Sequence, residues 1–180
     1  MNFDMELISP PRTIMDVYKL LPQGTLAELI DGQIFMSPAP TNKHQRVLLA
    51  IYKLVDKLVS EENLGEIFVS PSDVYFDDHS NAVQPDLYFV STDNNMKVLD
   101  DEPNRGVPDL IVEILSPSNN RYDLDVKWRL YEKFGVKEYW IIDPATKEAL
   151  IYQLENNSYH LAGKEVSRIH SPLFNYTFEF

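Results

Sequence analysis

The chain has 180 residues, no cysteine and a formal net charge of −12. Missing cysteine excludes disulfides, thiolate metal sites and a Cys nucleophile. The acidity argues against a nonspecific polyanion binder, whose affinity would come from Lys and Arg neutralising phosphates. The length suits one domain, 1–180, with a real core, and the 44% apolar and 24% charged fractions are those of an ordinary soluble globular protein. No apolar stretch could span a bilayer, and the acidic N-terminus lacks the charged and apolar regions of a signal peptide, so a cytoplasmic location is expected. The densest basic run is Arg121, Lys127, Arg129, Lys133 and Lys137.

Residues Met1 to Pro22 read as an entry segment, with a short helix over Ile14 to Leu20 capped by Thr13. Leu26 to Ile30 and Gln33 to Met36 flank Asp31-Gly32, a strong hairpin signal. His44, Val47, Leu48, Ile51, Leu54, Val55 and Leu58 recur at helical spacing behind Thr41 or Asn42 as a cap, and Gly65 stops the run. Glu66–Val69, Val74–Phe76 and Asp86–Val90 read as strands, and Ser91 to Arg105 as a mobile charged loop. Val107 to Pro144 reads as strand, turn, helix and parallel strand, a βαβ unit. Ala149–Leu154 and Tyr159–Leu161 suggest a hairpin, and the aromatic tail from Pro172 suggests an edge strand.

Within the βαβ unit, alternation puts Leu110, Val112 and Ile114 on one face and Asp109, Ile111, Glu113 and Leu115 on the other. A strand buried on both faces should be apolar on both, so Glu113 breaks the local rule and marks a candidate site. The bland alternatives are a sheet edge or a buried Arg partner. Glu28, Asp86 and Asp109 also stand in or beside apolar strands, whereas Asp143 before Pro144 reads as a turn start. Carboxylates converging from neighbouring strands repel unless a cation sits between them, and hard oxygen ligands suit Mg²⁺ or Mn²⁺. Lys127 is the candidate cation; its bland reading is an exposed i,i+4 pair with Asp123, one turn away, as Tyr131 is on the other side. His44, in a helix first turn, reads first as a cap or surface residue and second as an acid–base group.

These residues resemble a known pattern. It comprises Glu28-Leu29-Ile30-Asp31-Gly32 with Met36-Ser37-Pro38-Ala39-Pro40 and His44; then Val83-Gln84-Pro85-Asp86-Leu87; then Val107-Pro108-Asp109-Leu110, Val112-Glu113-Ile114-Leu115-Ser116-Pro117-Ser118, Asp123, Lys127, Tyr131, Gly135-Val136, Glu138-Tyr139-Trp140 and Asp143-Pro144. Together they look like the bacterial Uma-two family of restriction-endonuclease-like proteins, a branch of the PD-(D/E)XK nuclease superfamily, over a core of about 26–154. The resemblance implies an α/β (α+β) fold: a restriction-endonuclease-like core with a mixed central β-sheet flanked by helices, and an N-terminal β-hairpin. It implies Asp86 and Glu113 as the paired acids that hold the metal. The superfamily's usual lysine, two residues after the second acid, would fall at Leu115; here the resemblance places it at Lys127 on the following helix.

The expectation is a Mg²⁺- or Mn²⁺-dependent endonuclease acting on nucleic acid, DNA first, with Asp86, Glu113 and Lys127 carrying the chemistry. Glu28, His44, Asp109, Asp123 and Tyr131 are supporting candidates. A homodimer is expected from the aromatic tail and apolar edges. The alternative is a catalytically silent module of the same fold that binds a protein or nucleic-acid partner, which the acidic charge favours.

Overall fold

The computed structural model describes residues 10–116 and 121–180, residues 121–124 by their backbone only. Helix α1 (Ile14–Lys19) opens on a capping box: Thr13 Oγ1 accepts from Asp16 N at 3.1 Å, and Asp16 Oδ2 accepts from Thr13 N at 3.0 Å. Strands β1 (Ala27–Ile30) and β2 (Gln33–Met36) follow as an antiparallel hairpin with Ile30 opposite Gln33. The two loop residues, Asp31 and Gly32, take φ of 45° and 78°, as a type I′ turn demands. Helix α2 (Asn42–Glu61) is capped by the Thr41 side chain, and Gly65 at its far end turns the chain into β3 (Gly65–Val69). A side chain at Gly65 would run into the Val90 carbonyl, so that close approach requires glycine.

Next come β4 (Val74–Tyr75), β5 (Ala82–Val83), β6 (Leu87–Ser91), β7 (Asn104–Arg105) and β8 (Leu110–Ile114). Helix α3 (Arg121–Phe134) connects β8 to its parallel neighbour β9 (Glu138–Ile142), the anticipated βαβ unit. The hairpin β10 (Glu148–Glu155) and β11 (Ser158–Val166) is longer than expected; Asn156 and Asn157 supply its positive-φ turn. Strands β12 (Arg168–Ser171) and β13 (Tyr176–Glu179) end the chain.

The main sheet runs β11-β10-β9-β8-β6-β3, antiparallel except for β8 beside β9, and so is mixed. One face, with Leu110, Val112, Ile114, Trp140 and Ile142, packs on Val47, Leu48, Ile51 and Val55 of α2. The other, with Ile111, Tyr139 and Ile141, packs on Leu130 and Tyr131 of α3 and on Ile30, Val74 and Val83. Burial of both faces leaves β8 with no solvent side, which is why its lone carboxylate stands out. No helix among the described residues is long and apolar enough to cross a membrane.

The N-terminal hairpin is as expected, and its β1 also pairs with β5 in a five-stranded sheet, β2-β1-β5-β4-β7. Two expectations change. The segment Ser91 to Arg105 is not a plain loop. Lys97 and Arg105 exchange two backbone hydrogen bonds, β7 pairs in parallel with β4, and Met96 is buried. The aromatic tail does not extend the main sheet. β12 and β13 pair with each other and insert Ile169 and Phe178 into the α2-side core beside Trp140. Intersheet packing outweighs edge pairing there because the tail's apolar side chains alternate onto one face.

Candidate active site

Alternation along β8 delivers Glu113 to the α3 face, opposite to Val112 and Ile114. Its side chain is 5% exposed. Helix α3 presents Lys127 and Tyr131, one turn apart on one face, toward it. Lys127 Nζ lies 2.9 Å from Glu113 Oε1, and Tyr131 Oη donates to the same oxygen at 2.7 Å. Lys127 Nζ is also 2.9 Å from Glu28 Oε2, and Glu28 Oε1 accepts from the Gln84 backbone N–H at 2.9 Å. The lysine head is therefore clamped between acids from two different sheets.

Asp86 stands immediately before β6. The β6–β8 register sets Leu87 opposite Val112 and so brings Asp86 level with Glu113. Asp86 Oδ2 accepts from Ile114 N at 2.8 Å and lies 3.0 Å from His44 Nε2. His44 comes from the first turn of α2, where its backbone N–H donates to the Thr41 cap. Glu28, His44, Asp86, Glu113 and Lys127 line one cleft of about 90 Å³, with Gln84 and Ser116 on its wall. A larger groove of about 410 Å³ along Tyr18, Tyr75 and Arg105 adjoins it at Gln84 but is lined by none of Glu28, Asp86, Glu113 and Lys127.

The electrostatics follow from burial and crowding. Burial raises the Glu113 pKa, the Lys127 ammonium opposes that, and the Asp86 and Glu28 charges add to it; the result is pushed up to about 7. Burial disfavours the charge on Lys127, but Glu113 and Glu28 outweigh it and hold Lys127 protonated above its ordinary range. Burial and then the neighbouring Glu113 charge keep Tyr131 a phenol. For His44, burial opposes the imidazolium, but the bond to Asp86 and the Asp86 and Glu113 charges win and raise its pKa.

The structure thus brings together Glu28, His44, Asp86, Glu113, Lys127 and Tyr131. Glu113 lies on an interior strand rather than at a sheet edge, and its basic partner is a lysine rather than an arginine; Lys127 is a largely buried double ion pair rather than an exposed one. His44 is buried and bonded to an acid; the helix cap is Thr41. The Asp123 side chain lies outside the described residues. Asp109 does not join the site. It is at the other end of β8, buried, with Lys137 Nζ at 2.6 Å, Ser91 N at 2.8 Å and Asn94 Nδ2 at 2.8 Å. Asp143 is the expected turn acid, accepting from Ala145 N. Sequence reasoning missed Gln84, which orients Glu28 through its main chain, a role no side-chain pattern announces. It also missed buried Glu138, which accepts from Trp140 Nε1, Ser171 Oγ and Leu173 N at 2.6 Å each and fastens the C-terminal hairpin.

Among the described residues, no three His, Asp or Glu side chains surround one point as a ready metal cage. Mg²⁺ does not need one; it is commonly held by one or two carboxylates with waters and substrate phosphate. Asp86, and Glu113 once it has lost its proton, supply hard oxygen donors from neighbouring strands. The residues present therefore fit a divalent cation.

The chain shares its fold with a crystal structure described as "a putative nuclease belonging to DUF820" from Anabaena variabilis ATCC 29413. The two superpose with a TM-score of 0.72 at 21% sequence identity over 92% of each chain. No curated protein sequence matches the chain. The profile of the Uma2 family, described as "putative restriction endonuclease", matches residues 15–179, and the chain belongs to that family.

Proposed function

We propose that this protein is a divalent-metal-dependent endonuclease that hydrolyses phosphodiester bonds of nucleic acid, DNA being the expected substrate. The observation that carries the reading is the lysine clamp: Lys127 Nζ stands 2.9 Å from both Glu28 and Glu113, in the cleft that Asp86 lines. Asp86 and Glu113 would hold Mg²⁺ or Mn²⁺. Bound there, the ion would polarise the scissile phosphate and lower the pKa of a water. Lys127, permanently charged, offers N–H donors where negative charge develops on the phosphate. Glu28 keeps that head in place, since a long flexible side chain must be held to act at one point. Tyr131 anchors Glu113 Oε1, so the carboxylate is oriented before any ligand arrives.

The chain's net charge of −12 favours a second reading, a non-cleaving module that binds a partner, because a nuclease gains on-rate from a positive field. A plasmid-nicking assay separates the two. Wild type should nick in Mg²⁺ or Mn²⁺ and stop in EDTA, and Glu113→Gln should be silent. Calorimetric metal binding without any nicking would favour a partner-binding module, and no metal binding would end the metal-dependent reading.

A further inference from the structure

His44 meets the cleft through Asp86. An ionised carboxylate only accepts hydrogen bonds, so the proton in the 3.0 Å His44–Asp86 contact sits on Nε2 whether the ring is neutral or charged. The same oxygen, Oδ2, already accepts from Ile114 N at 2.8 Å. Both donors converge on Oδ2 from different elements, so swinging the carboxylate about its Cβ–Cγ bond would break two hydrogen bonds rather than one. That second donor is well held. His44 is 4% exposed, its helix start is fixed by the Thr41 cap, and the ring sits between the α2 first turn and the β8 terminus. The ring is also supported from the β8 side, where the Ile114 main chain adds to the Asp86 bond in favouring the imidazolium.

We propose that His44 is a positioning residue whose Nε2–H locks the Asp86 carboxylate in its metal-binding orientation. This rests on the reading that Asp86 holds the metal. Outer-shell donors of this kind typically change metal affinity by roughly 10–100-fold when removed. A glutamine side chain also carries an N–H donor and can replace the bond; leucine cannot.

The test is calorimetric titration of Mn²⁺ alone into wild type, His44→Leu and His44→Gln, with melting curves for each. His44→Leu should weaken Mn²⁺ binding by about 10–100-fold, and His44→Gln should recover most of it. Equal affinity in wild type and His44→Leu, or a glutamine variant no better than leucine, overturns the role of His44 alone. No Mn²⁺ binding by wild type removes the metal reading itself, and this proposal with it. A second measurement covers a leucine variant that fails to fold. In wild type, ¹⁵N spectra of the imidazole should place a proton on Nε2 and shift that signal in Asp86→Asn; a ring protonated on Nδ1 alone overturns the proposal.

Discussion

Replacing Lys127 by methionine keeps the length of the side chain and removes its charge. It would leave Glu28 and Glu113, with side chains 7% and 5% exposed, facing each other across the cleft without a cation. Breaking a buried pair by deleting one partner costs about 3–5 kcal/mol, because the remaining charge is stranded. The cost has a pH signature. In wild type Glu113 titrates at about 7, so at pH 8.5 it is ionised. Without Lys127 it keeps its proton to higher pH. The folded variant then binds one more proton than its unfolded chain, and its stability falls with pH where that of wild type has levelled off. Over the unit and a half above pH 7 that difference grows to about 2 kcal/mol at 1.36 kcal/mol per unit. Urea unfolding in EDTA at pH 5.5 and 8.5 measures it. We expect Lys127→Met to cost about 3–5 kcal/mol at pH 8.5 and about 2 kcal/mol less at pH 5.5. A cost below about 1 kcal/mol, equal at both pH values, is what an exposed ion pair would give and would refute the buried clamp.

Wild type itself should lose stability as pH rises from about 4.5 to 7 in EDTA. The raised Glu113 pKa means that the folded state holds a proton the unfolded chain has released; the total from this group is roughly 3 kcal/mol, read from urea midpoints. His44 acts in the same sense: its stabilisation is full below its unfolded pKa of about 6.5 and is lost as pH rises through its higher folded value. Asp109→Asn should lower the melting temperature by weakening the Lys137 ion pair and the bonds from Ser91 and Asn94, yet leave the metal-dependent nicking rate of the folded protein unchanged; abolished nicking would return Asp109 to the site. Glu138→Ala should cost about 3 kcal/mol by stranding two buried donors and one part-buried donor, and limited proteolysis should then cut the 168–179 hairpin first; an unchanged digestion pattern would show that the hairpin docks without Glu138.

Local chemistry made much of the fold legible in the residues alone. Asp31-Gly32 admits the positive φ of a tight hairpin, Thr13 and Thr41 cap helices, and the 3.6-residue spacing after His44 makes α2. The apolar runs around Arg121 to Phe134 make a βαβ unit, and Glu113 is conspicuous because its strand is otherwise apolar on both faces. Long-range pairing was not legible. Nothing near Leu26 to Met36 says that β1 will also pair with β5, and nothing in the tail says that Phe178 will pack on Trp140, because both depend on surfaces supplied by distant segments. The site divides the same way. Residue type and resemblance singled out Asp86, Glu113 and Lys127, but which acids would clamp the Lys127 head was not legible. Asp123 is its neighbour in sequence, whereas Glu28 and Glu113 become its neighbours only when α3 lies across the junction of the two sheets. His44 read as a cap until α2 was placed against Asp86, and Asp109 read as a site acid until the length of β8 separated it from Glu113. Sequence periodicity specifies which face of an element a side chain occupies; only the packing of elements decides which charge that face meets.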